Sequence, residues 1–71
     1  MPTNWKKTTI TISVADKKRT DDAALLERIL GEARQKLFAE GVTPTQMSVG
    51  AGLITGDQKA YEYPVHYVPA D

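Results

Sequence analysis

The chain has no cysteine. No disulfide can cross-link it, and no thiolate can hold a metal. Its single histidine, His66, has no second imidazole as co-ligand. No pair of His, Asp or Glu stands at a recognisable ligand spacing, so neither a metal centre nor a cofactor is expected. Nine basic residues cancel nine acidic ones. That balance argues against a nucleic-acid binder, which needs positive charge to neutralise phosphates. No apolar run approaches the ~18 residues of a membrane span. No apolar stretch follows the lysines at 6 and 7, so a secretory leader is not expected. Internal repeats and low-complexity tracts are missing as well. Together these absences lead to the expectation of a cytoplasmic chain with no catalytic residues and no contact with a membrane.

What is present is alternation and one helix. Seventy-one residues make one small α+β domain, expected over 1–71 with short tails at 1–5 and 69–71. A chain this short buries only roughly 60% of its unfolded surface. Self-association is a common remedy for small domains without staples. Residues 6–15 place Ile10, Ile12 and Val14 on one face and Thr9, Thr11 and Ser13 on the other, the period of a half-buried strand. Asp16, Lys17, Lys18 and Arg19 read as a charged loop. Residues 20–41 read as one amphipathic helix. Thr20 serves as its N-cap, Asp21 and Asp22 favour the positive end of its dipole, and Gly41 ends it. At ~100° per residue, Ala23, Leu26, Ile29, Leu30, Ala33 and Leu37 fall on one stripe, opposite Arg28, Glu32 and Gln35.

After the helix, residues 47–54 read as a second strand. Met47, Val49, Ala51 and Leu53 point inward, and Ser48, Gly50 and Gly52 outward. A turn at 55–59 leads to a third strand at 60–68, with Tyr61, Tyr63, Val65 and Tyr67 on one face. Pro64 cannot donate to a ladder, which predicts an edge position or a bulge. The expected architecture is a two-layer β-α-β-β sandwich, with one long helix on a three-stranded mixed sheet. The first two strands are parallel if adjacent, and the last two form an antiparallel hairpin.

One helix covers one sheet face, which leaves the other bare. Trp5, Thr9, Thr11, Gly50, Gly52, Tyr63 and His66 are the candidate partner-binding residues. Trp5 and the tyrosines supply the aromatic surface typical of contact hot spots, and the glycines supply a flat track. Other chemistries fit less well. Gly50, Ala51, Gly52 and Gly56 lack the spacing and the following helix of a dinucleotide fingerprint. Lys17, Lys18 and Arg19 meet the helix start where Asp21 and Asp22 would repel an anion. His66 and Glu62 share a face but lie ~13 Å apart along a strand, too far for a hydrogen bond. Ala24, Gly31 and Phe38 recur every seven residues on the helix. Gly31 costs ~1 kcal/mol relative to alanine there, so close packing of a second subunit against this stripe is expected.

The β-α-β-β order and the length resemble the dodecin flavin-binding proteins in layout. That resemblance implies an oligomer that sandwiches an aromatic small molecule. The tryptophan and glutamine dodecins use to stack flavin have no counterpart; Met47 and Ser48 stand near the expected tryptophan. Pro2 ahead of a β-α-β unit resembles the small tautomerases, whose first strand begins at an N-terminal proline that is the base, but here residues 3–7 intervene and the family's arginines are unmatched. The leading expectation is a non-enzymatic, homo-oligomeric protein–protein interaction module. Regulators, inhibitors, antitoxin-like proteins and phage proteins that modulate host proteins are often of this size and charge.

Overall fold

The computed structural model describes residues 5–70. The elements run β1 (Lys6–Ser13), α1 (Val14–Arg19), α2 (Asp22–Ala39), β2 (Pro44–Val49), β3 (Leu53–Ile54) and β4 (Ala60–Pro69). The sheet has four strands, not three, and every pairing is antiparallel. β1 and β2 are not neighbours. β4 lies between them in the order β1-β4-β2, and β3 also pairs with β4. The strand for which Pro64 predicts an edge position or a bulge is therefore the central one.

A bulge reconciles Pro64 with that position. Gly50 N–H donates to Pro64 O at 2.8 Å. A residue's N–H and C=O point to the same side of a strand, so the donor that Pro64 lacks would also face Gly50. From there the ladder resumes at Leu53 opposite Glu62. Three steps, 50 to 53, oppose two, 64 to 62, which inserts one extra residue where no donor is available. The insertion reverses the facing of the residues beyond it. Leu53, expected to point inward, is 72% exposed. Gly52, expected outward, lies against the ring of Tyr63, where an added Cβ would stand 2.5 Å from a ring carbon.

The residues expected to end the first strand and form a charged loop instead build α1. Ser13 caps it, its Oγ accepting from Asp16 N–H at 3.1 Å. The long helix starts one residue later than Thr20 would set. Asp21 is its N-cap, its carboxylate accepting from Ala24 N–H at 2.8 Å. Thr20 instead closes α1, donating from its hydroxyl to Asp16 O. Gly41, at φ +80°, ends α2 as the sequence suggests. Val42 N–H reaches Leu37 O and Gly41 N–H reaches Phe38 O, which satisfies the terminal carbonyls.

The buried residues of α2 are Leu25, Ile29, Ala33 and Leu37. Ala23 and Leu26, assigned to the inward stripe, are exposed, and Leu30 is only half-buried. Strict (i, i+4) spacing drifts ~40° per step, so α2 crosses the sheet obliquely, and it touches β1, β2 and β4. Leu25, Ile29 and Ala33 pack with Ile10, Ile12, Tyr63 and Val65, and Met47, Val49 and Tyr61 close the margin. Ile12, Ile29, Leu37 and Val65 are fully buried, each contributing about 1.5–3 kcal/mol. The C-terminal tail expected from 69 is partly structured: Pro69 belongs to β4, and Ala70 N–H bonds to Thr43 O at 2.7 Å.

Candidate functional site

Because β4 is central, its register with both neighbours defines rows of side chains across the sheet face that looks away from α2. Lys7 and Ser48 flank His66. Thr9 and Gly50 flank Pro64. Thr11 and Leu53 flank Glu62. Trp5 stands just before β1 and is 43% exposed. Among the described residues, hollows lie on this face. One, of about 310 Å³, is lined by Trp5, Ser48 and His66. Another, of about 150 Å³, is lined by Lys7, Thr9, Leu53, Glu62 and Pro64. An indole at one end and an exposed leucine at the other thus bracket a polar middle.

The structure gathers Trp5, Thr9, Thr11, Gly50 and His66 on this face. It does not bring Gly52 or Tyr63 to it. Tyr63 is 7% exposed and belongs to the core, and Gly52 is occupied by its ring. Tyr67 is buried likewise, and Tyr61 is half-buried with its ring 6.4 Å from that of Tyr63. Lys17 Nζ stands 5.0 Å from the Tyr61 centroid, within cation–π range. Leu53, expected to face inward, joins this face instead. A Gly-Ala-Gly run facing a proline was the available signal, because it supplies both the need and the freedom for a bulge.

Gly50 is constrained on this face: an added Cβ would stand 2.8 Å from Pro64 Cγ. The residues Ala24, Gly31 and Phe38 lie elsewhere, on α2. Ala24 and Phe38 are exposed, and nothing lies within 4 Å of a Cβ built on Gly31. Pro2 falls outside the described residues.

Electrostatics concentrates away from the sheet face. The ion pairs among the described residues are Asp16–Arg19, Asp16–Arg28 and Arg28–Glu32. The Arg28 guanidinium bonded to Asp16 holds that carboxyl below its ordinary value. Asp57 is also lowered, first by the Thr55 hydroxyl and then by Lys59 N–H, in the turn that joins β3 to β4. Among the described residues no group of three His, Cys, Asp or Glu could hold a metal ion. None of their helices is long and apolar enough to cross a membrane.

These features define an α+β domain with a four-stranded antiparallel sheet. No family model matches the chain, and no curated protein or solved structure is significantly similar to it.

Proposed function

We propose that this protein is a non-enzymatic, two-layer interaction domain. It binds a protein partner through the sheet face that looks away from α2, and it works as a homo-oligomer. One observation carries this reading: Trp5 and Leu53, both substantially exposed, sit at hollows on one face whose remaining lining is Lys7, Thr9, Ser48, Glu62, Pro64 and His66. Apolar anchors set among polar groups are the make-up of a protein contact surface, in which a few aromatic and apolar residues carry most of the energy. A regulator or inhibitor of another protein is the role that suits such a face.

The test uses the partner captured by the tagged protein from its native host. Trp5→Ala and Leu53→Ala are expected each to weaken binding by more than about 1 kcal/mol, while circular dichroism shows the fold retained. The double change Arg28→Ala with Glu32→Ala should leave binding intact. The reverse pattern would move the site to the helix. A second reading, an aromatic small molecule stacked on Trp5, is favoured by the larger hollow, whose volume reaches the roughly 300 Å³ lower bound of ligand clefts. Absorbance of the purified protein above the protein band would establish that reading.

A further inference from the structure

The two long edges of the sheet are treated differently. On β1 the backbone of Thr9 points outward, and Lys36 Nζ donates to its carbonyl at 3.1 Å. Lys6 and Lys7 add charge to that edge, a usual protection against strand addition. The other edge, formed by β2 and β3, carries no such charge. Residues 41–56 contain no Asp, Glu, Lys, Arg or His. Gly50 N–H faces β4, so by alternation the backbone groups of Ser48 also face β4, and those of Met47 and Val49 face outward. β2 pairs only with β4. Those outward groups therefore have no strand partner among the described residues.

The side chains on the α2 side of this edge, Met47 and Val49, are apolar, while Thr45, Gln46 and Ser48 are exposed and polar. The polar flank of α2 lies on the β1 side, as the Lys36 bond to Thr9 and the Arg28 pair with Asp16 fix it. Leu26 and Leu30 lie on the opposite flank of α2 by helical spacing, and α2 contacts β2. Leu26 is 47% exposed and Leu30 half-buried. Met47 and Val49 are half-buried, and Ile54 on β3 is 49% exposed.

We infer that the β2 edge is the self-association surface, and that its occupant is β2 of a second copy running antiparallel about a two-fold axis at Ser48. Met47 then pairs with Val49 of the second copy, and the reciprocal pair forms by symmetry. Each pair exchanges two backbone hydrogen bonds, and the sheet becomes continuous across the dimer. Charge argues for a second copy over an unrelated strand. Near a two-fold axis every charge meets its own like, so a segment free of charge is what such an axis requires. A chain of zero net charge also approaches its copy without overall repulsion. This inference rests on the homo-oligomer reading; Ser48, at the axis, also lines the hollow beside Trp5 and His66.

The absence of cysteine makes a clean test available. In this register Ser48 faces Ser48 of the second copy in a non-hydrogen-bonded pair, with Cα atoms about 4.5 Å apart, within the roughly 4.4–6.8 Å a disulfide spans. Wild-type protein is first sedimented to equilibrium at high micromolar concentration. Twice the 7.8 kDa chain mass is expected; the monomer mass would overturn both the oligomer reading and this interface. Single variants Ser48→Cys, Thr11→Cys and Phe38→Cys are then exposed to mild oxidant. Ser48→Cys should form the disulfide dimer at least about tenfold faster than the other two, because the pair is already held together. Leu26→Lys, a helix-surface change that spares the backbone, should shift wild-type-like dimer to monomer. A wild-type dimer in which Phe38→Cys cross-links fastest would place the interface on the Ala24, Gly31 and Phe38 stripe. Fastest cross-linking at Thr11→Cys would place it on β1, at its edge or on its open face. Either result overturns the β2 assignment and leaves self-association standing.

Discussion

At the scale of single residues, the glycines separate by what surrounds them. A methyl group at Gly52 would collide with the Tyr63 ring, and that ring is fixed in the core. Gly52→Ala is therefore expected to destabilise the fold by about 1–3 kcal/mol, the usual cost of overpacking. A methyl group at Gly31 meets nothing within 4 Å and sits in a helix interior. Gly31→Ala should stabilise by about 1 kcal/mol. Urea melts of both variants check the pair, and loss of stability at Gly31 would show that something packs there. Asp16 provides a third test. Its folded pKa lies below its unfolded value, chiefly through Arg28. The resulting stabilisation is complete above the unfolded aspartate value of about 3.9 and is lost as pH falls through the lower folded value. Melting temperatures of wild type and Arg28→Ala should therefore differ at pH 6 and converge towards pH 2.

At the scale of elements, much of α2 was legible because capping and periodicity agree. The end at Gly41 and the inward placement of Ile29, Ala33 and Leu37 come directly from the sequence. The helix starts one residue later than Thr20 predicts because Thr20 and Asp21 are both competent caps, and Thr20 is used by α1. That small helix was hidden by the strand alternation through Val14, which local pattern alone cannot end. The stripe read from periodicity is broader than the buried one. A projection averages over the helix, whereas the oblique crossing selects Leu25 early and leaves Leu26 and Leu30 at the margin. The consequence is measurable. Leu37→Ala is expected to cost about 2–5 kcal/mol and Leu30→Ala distinctly less. Equal losses would mean that the helix rotates relative to the sheet. The candidate face was legible only as far as alternation holds. Trp5, Thr9, Thr11 and His66 obey it, while Gly52 and Leu53 lie beyond a bulge that shifts the count by one.

At the scale of the whole molecule, the order β1-β4-β2 makes β4 the strand on which all others depend. Every strand pairing in the sheet involves it. A fragment of residues 1–59 should therefore retain helical propensity but show no cooperative thermal transition in circular dichroism, and a sharp transition would refute that dependence. The same arrangement has a meaning for biosynthesis. The chain leaves the ribosome from its N-terminus at ~5–20 residues per second, and β1, both helices, β2 and β3 all emerge before β4. Until then the nascent protein holds three strands with no sheet to join. The closing contacts between β1 and β4 span nearly the whole described chain, the kind of distant pairing that slows folding. Folding is thus committed late, and for about 0.7–3 s of each synthesis the uncharged segment 41–56 is open to whatever a holding chaperone or a neighbouring nascent chain presents.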